Sequence, residues 1–301
     1  MAIKEVLEKL KTTGNYNRII NLTLYNARGK KVQIRCPTRG RKPSIEITGT
    51  FTSKCELSAF NITLKNLYLD LLSDQYTRVQ VEAGYEGNTI TFEGNIIMLY
   101  PEGPGPEGTT VIQCKQGEVD NYLDAMVQLN FNKGVPLATV LKEIAARIGA
   151  NGVHMGLRAA SLFLQDPLQY DDAARNAMNY LERLFESENL NIFMRSNTLC
   201  AICLKQGDFI KSHKLQYISS PPQPNVGGAD GTNFSTITAP WEPKLQRGDN
   251  LIIPARIYQK YGVLVNALNK RTQTIQVTQL SFHFSTTGNT NSMNVQGFLV
   301  R

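Results

Sequence analysis

Residues 60–96 read FNITLKNLYLDLLSDQYTRVQVEAGYEGNTITFEGNI, and the alternation in this stretch decides the fold class. Phe60, Ile62 and Leu64 alternate with polar neighbours, as do Val79 and Val81, and then Ile90 and Phe92. A side-chain period of two belongs to a strand with one face buried. The pattern extends outward on both sides. Before it come Ile20, Leu22 and Leu24, then Val32 and Ile34, then Ile45 and Ile47. After it come Ile96, Ile97 and Leu99, then Val111, with Ile112 and Cys114 on the other face. Gly29-Lys30, residues 84–88 and residues 101–108 punctuate the run. About seven strands in roughly a hundred residues predict an antiparallel barrel or sandwich.

The flanks differ. Ile3, Val6, Leu7 and Leu10 share one helical face, and Gly14 ends that short predicted helix. Beyond a strand at residues 125–131, Pro136 opens a helix whose apolar positions are Leu137, Val140, Leu141, Ile144, Ala145 and Ile148. A second helix is expected from Asp171 to Asn189, with Asp171 and Asp172 at its N-terminal dipole. Residues 190–194 and 199–204 then read as a hairpin around Ser196-Asn197. Residues 219–231, SSPPQPNVGGADG, look like a linker, and strands resume from Thr232 to Leu299. The expected division is 1–120 (N-terminal helix and first β domain), 121–218 (α/β insert) and 219–301 (second β domain).

The chain has 301 residues and a formal charge of +7, with 19% charged and 42% hydrophobic residues. Such a composition excludes intrinsic disorder as the main state. Five scattered cysteines form no disulfide framework. Residues 1–10 lack the apolar core of a signal peptide, and no run approaches the length of a membrane span.

Candidate chemistry is sparse. Gly103, Gly105 and Gly108 match GxGxxG, but a strand, not a helix, is expected next, so a hairpin loop is the better reading. Cys200 and Cys203 form a CxxC within a strand, where an i,i+3 offset sends the thiols to opposite faces. His154, His213 and His283 are far apart in sequence, and GxSxG, HExxH and SxxK are absent. No catalytic, cofactor-binding or metal-binding residue is assigned. The densest charge feature is a run of seven basic side chains in fifteen residues without an acid: Arg28, Lys30, Lys31, Arg35, Arg39, Arg41 and Lys42. It lacks the interleaved aromatics of a single-strand nucleic-acid groove. Arg28, Lys30, Lys31, Arg39, Arg41 and Lys42 are therefore expected at a protein interface.

The order of motifs resembles the bacteriophage tail or baseplate hub family, the T4-type hub and late-control protein D group. The residues carrying the resemblance are Phe60 to Leu67, Val79 to Tyr85, Phe92 to Ile96, residues 134–149, residues 181–204 and Pro240 to Ile253 (PWEPKLQRGDNLII). It implies an α+β, mainly β chain in which two tube-forming, antiparallel β-barrel-like parts flank a small α/β insert. It further implies a structural virion protein, made in the host cytoplasm and needing no cofactor. Three copies would adapt a threefold spike to a sixfold tail tube, contacting the tube protein, the spike and other baseplate proteins. The genome would pass through the lumen without specific binding, and no membrane is involved. Two alternatives from other classes are a tail-associated cell-wall hydrolase and a free-standing nucleic-acid-binding protein.

Overall fold

The computed structural model describes residues 17–36, 44–51, 59–65, 75–103, 108–115, 123–195, 197–215, 218, 223–224, 234–253, 256–258, 264–266, 273–287 and 291–300. The expected helix at residues 3–11 and most of the 219–231 linker lie outside the described residues.

Among the described residues the first β-rich part has seven strands, as the alternation predicts. They are β1 (Arg18–Asn26), β2 (Lys31–Cys36), β3 (Ser44–Phe51), β4 (Ala59–Lys65), β5 (Tyr76–Tyr85), β6 (Asn88–Glu102) and β7 (Thr109–Lys115). Three antiparallel ladders join β6, β5, β1 and β2 in that order, and β7 bridges β6 to β4 and then β3. The second β-rich part contributes β13 (Ser212–Lys214), β14 (Gln223–Pro224), β15 (Phe234–Ala239), β16 (Asn250–Ile253), β19 (Gln273–Ser285) and β20 (Ser292–Val300). A separate short pair is β17 (Arg256–Tyr258) with β18 (Leu264–Asn266).

The two parts do not form separate sheets. β19 pairs with β3 antiparallel from Leu280↔Phe51 to Ser285↔Glu46, so one sheet runs from β14 to β2. Among the described residues this sheet does not close on itself. Its buried face is one core drawn from both parts. Ile20, Leu22, Ile62, Val79 and Val81 lie in it with Trp241, Leu251, Phe282 and Phe284. Each large aliphatic side chain fully buried there contributes about 1.5–3 kcal/mol. Trp241 stacks on Phe282 (4.9 Å, 9°) and tilts against Phe284 (4.4 Å). Gly94 of the FEGNI segment is required by Phe60 of the FNITL segment. A Cβ at Gly94 would lie 2.6 Å from Phe60 Cζ, so the ring fills the space that any side chain would need.

The insert lies between the parts in sequence and has its own core. Its elements are β8 (Met126–Phe131), α1 (Leu137–Arg147), β9 (Val153–Met155), α2 (Leu157–Ala160), β10 (Leu168–Ala173), α3 (Ala174–Leu184), β11 (Leu190–Arg195) and β12 (Thr198–Cys203). Leu137, Val140, Leu141, Ile144, Ala177, Met178 and Leu181 pack together, as their helical spacing predicts. The second helix starts later than expected. Asp171 and Asp172 belong to β10, where ladder pairing with Gln128 and Val127 of β8 holds the backbone extended. Asp172 still serves the helix, since Oδ1 accepts a hydrogen bond from Ala173 N and Oδ2 one from Asn176 Nδ2. The helix also ends earlier, at Leu184, and a 3-10 turn follows at Glu186–Glu188.

Candidate assembly surface

The solvent-facing side of the sheet is built by the polar members of each alternating strand. Asn21, Thr23 and Tyr25 of β1 lie beside Gln33 and Arg35 of β2 and beside Arg78, Gln80 and Glu82 of β5. These side chains satisfy one another across the ladders. Asn21 Nδ2 donates to Glu82 Oε2 (2.7 Å), and Gln80 Nε2 donates to Glu93 Oε1 (2.9 Å). The Arg78 guanidinium sits 4.6 Å over the Tyr25 ring and 3.8 Å from Glu93. A shallow polar groove of about 340 Å³ runs between Asn21, Thr23, Gln33, Arg35, Gln80 and Glu82. Farther along, His283, Thr48, Asn61 and Gln113 are successive cross-strand partners on β19, β3, β4 and β7. Glu46 bridges this region, accepting from His283 Nε2 through one oxygen and lying 3.7 Å from Lys65 Nζ with the other.

At one end of the sheet stands the basic hairpin. Asn26 Oδ1 accepts from Arg28 N (3.0 Å) and Lys30 N (2.9 Å), and Gly29 takes φ +77°, which closes the β1–β2 turn. The turn leaves Arg28, Lys30, Lys31 and Arg35 exposed. Arg39, Arg41 and Lys42 lie outside the described residues. Apolar side chains are also exposed. Ile97 and Met98 (58% and 52%) sit at the β-bulge where β6 slips one residue against β7, and Leu157 (89%) and Phe163 (50%) project from the insert.

The insert is fastened to the sheet by polar groups that sequence reasoning did not single out. Asp249 is wholly buried at the entry to β16. Arg195, at the end of β11, grips its two oxygens at 2.7 and 3.2 Å. His213 Nε2 lies 3.1 Å from Oδ2, and the backbone N–H groups of Gln246 and Lys211 each donate at 3.1 Å. Gln246 Oε1 also accepts from Arg195 Nε. Beside this clamp, Arg247 lies 4.4 Å over the Phe193 ring. Gly248 (φ +83°) lets the loop touch that ring, since a Cβ there would stand 2.5 Å from Phe193 Cζ. Gln276 of β19, fully buried, accepts from Lys205 N (2.8 Å) and donates to the carbonyls of Cys203 and Asp208. Asp208 in turn accepts from the backbone N–H groups of Arg158, Ala159 and Cys203. The PWEPKLQRGDN segment is therefore both strand entry and fastening for the insert. The one legible signal was the dense mixture of Arg, Gly, Asp and Trp in that segment.

The remaining candidates fall where a structural role requires. Cys200 and Cys203 lie in β12 and face opposite ways: Cys203 joins the insert core and Cys200 a small cluster with Phe193 and Ile202. Burial pushes the Cys114 and Cys200 thiols up to about 12, and burial followed by the nearby Asp208 and Glu188 charges pushes Cys203 up to about 11. Gly103 and Gly108 flank the β6–β7 hairpin, and Gly105 lies outside the described residues. His154 is exposed on β9, and the three histidines are not brought together: His213 faces Asp249 and His283 faces Glu46. Among the described residues no cluster of His, Cys, Asp or Glu is arranged to hold a metal ion, and no helix is long and apolar enough to cross a membrane.

No protein-family profile and no curated protein sequence matches the chain. Solved structures do match its fold. A prophage MuSo2 43 kDa tail protein from Shewanella oneidensis aligns over 94% of this chain and 97% of its own, with TM-score 0.54 and 10% identity. The tail protein from Neisseria meningitidis MC58 aligns over the same shares, with TM-score 0.52 and 9% identity. A component of the E. coli type VI secretion system, described as similar to the T4 tail proteins gp27 and gp5, aligns over 87% of this chain and 75% of its own, with TM-score 0.51 and 8% identity. The chain has the fold of phage tail proteins.

Proposed function

We propose that this protein is a structural subunit of a phage tail, a baseplate hub whose three copies join the tail tube to the central spike. The observation that carries the reading is the β3–β19 ladder. It makes both β-rich parts one sheet, and in this reading each part is one β unit of the ring. Three such chains offer six units, which suits a threefold spike meeting a sixfold tube. The three-part division at residues 120 and 218 belongs to the same reading, with β13 (Ser212–Lys214), ahead of the second boundary, already paired into the sheet. The cross-strand pairs on this face, Asn21 with Glu82 and Gln80 with Glu93, suit a lumen through which DNA slides, because paired side chains offer phosphates little net attraction. The work is binding and geometric, with no turnover.

The basic side chains Arg28, Lys30, Lys31, Arg39, Arg41 and Lys42 form, in this reading, an assembly contact with acidic groups of a neighbouring tail protein. Such a contact acts mainly on association rate and register. Native mass measurement tests the hub reading. A trimer, alone or with tube and spike protein added, is the expected result; a monomer at micromolar concentration, unchanged by those partners, overturns it. Charge reversal of Arg28, Lys30 and Lys31 together should slow joining to the partner at low salt without unfolding the chain.

A further inference from the structure

We propose that the outer edge of β2 accepts an acidic, extended segment of another tail protein as an added strand. This rests on the assembly reading of the basic hairpin and deepens it by naming how the contact is made. Asn26 N donates to Lys30 O at 3.0 Å, which sets the phase of the β1–β2 ladder. The hydrogen-bonded pairs in step with it are Leu24 with Val32, Leu22 with Ile34 and Ile20 with Cys36. Lys31, Gln33 and Arg35 therefore turn their N–H and C=O groups away from β1. Among the described residues β2 pairs with β1 alone, so those groups line an open edge.

The side chains select what that edge receives. Lys31, Gln33 and Arg35 are exposed on the polar face, with the two charges four positions apart. Val32 is half-buried and Ile34 nearly buried on the core face, so the core is thinner at this edge and an incoming apolar side chain extends it. The complementary strand reads acid–apolar–polar–apolar–acid. Two β2 edges meeting each other set Lys and Arg against Lys and Arg, which disfavours self-pairing. In this chain the nearest stretch is Glu82-Ala83-Gly84-Tyr85-Glu86, with Gly84 at the polar position. Glu82–Tyr85 lie within β5, which already pairs on both sides, with β1 and β6. The occupant is therefore a different protein.

The test uses the full chain and a labelled peptide, Thr-Glu-Val-Thr-Val-Glu-Thr, followed by fluorescence anisotropy at low salt. Two changes remove strand pairing and leave charge intact. One is N-methylation of alternate peptide amides. The other is Gln33→Pro, which deletes an outward N–H and spares the ladder to β1. Each should weaken binding by about tenfold, the effect of losing one to two net hydrogen bonds. A peptide with Lys in place of Glu should bind the wild type poorly and should bind a Lys31→Glu, Arg35→Glu variant. If N-methylation and Gln33→Pro leave acidic-peptide binding unchanged, strand addition is wrong while the electrostatic assembly reading stands. If both weaken binding but acidic and basic peptides bind alike, the edge pairs and the assembly reading fails. Absence of acidic-peptide binding at about millimolar concentration, where even weak contacts register, overturns the proposal.

Discussion

The two joints of this molecule are made by opposite means. The β-rich parts meet at β3–β19 through a backbone ladder of six residue pairs, with Trp241, Phe282 and Phe284 packed beneath. Before its chain enters the sheet at β13, which pairs with β16, the body of the insert meets the sheet through side chains: a buried carboxylate held by a guanidinium, an imidazole and two backbone N–H groups, with Gln276 beside it. A ladder spreads its energy over many equivalent bonds, so no single side chain dominates it. A buried ion pair concentrates its energy on one residue, and removing one partner strands the other's charge. The first joint should tolerate changes to the polar side chains along its ladder, though not loss of the aromatic side chain packed beneath it, whereas the second should fail on loss of a single clamp residue. The second also specifies orientation more narrowly, because a bidentate Arg–carboxylate contact accepts one geometry.

The largest expected effect is at the clamp. Asp249→Ala should cost about 3–5 kcal/mol, the range for breaking a buried pair. Amide exchange should rise in β11 and β12 while the β3–β19 amides stay protected. Equal loosening of both joints would erase the distinction drawn between them. Next is Trp241→Ala, expected near the lower end of the large-aromatic range, about 3 kcal/mol. Its exchange signature should be the reverse, centred on β19, and thermal or denaturant unfolding checks the size. A weaker change at the same seam is Glu46→Gln. Glu46 and Lys65 are partly exposed, so losing their ion pair should cost about 1 kcal/mol or less.

The smallest effect concerns the thiols. Cys114, Cys200 and Cys203 should resist alkylation in the native protein at pH 8, read by mass spectrometry of labelled peptides. Their folded pKa values, about 11 to 12, lie above the ordinary 9.0. From about pH 9 upward the unfolded chain releases protons that the folded chain keeps. Stability should therefore fall as pH rises through that window. Rapid labelling of Cys200 at pH 8 would show that the Phe193 cluster beside the clamp opens readily, which contradicts a rigid second joint.

Much of the fold was legible because strand alternation and helical spacing are local properties of a chain with a one-sided core. Ile20, Leu22 and Leu24 announce β1, and Leu137 to Ile144 announce α1, whatever they pack against. The start of the second helix was misread at Asp171 because β10 owes its extended form to a partner, β8, forty residues earlier. The basic run at Arg28 to Lys42 was equally legible as charge. Which of its backbone groups face an open edge follows only from the phase of the β1–β2 ladder. Joining the two β-rich parts through β3 and β19 pairs residues more than two hundred positions apart, and no local pattern encodes that. Asp249 lies in the PWEPKLQRGDNLII motif, but nothing local to that motif says that its carboxylate is buried. Sequence by itself determined the long strands and helices, most of their buried faces and the charge of the hairpin. Tertiary structure alone decided which edges pair and which carboxylate is buried, because both depend on neighbours brought together from distant parts of the chain.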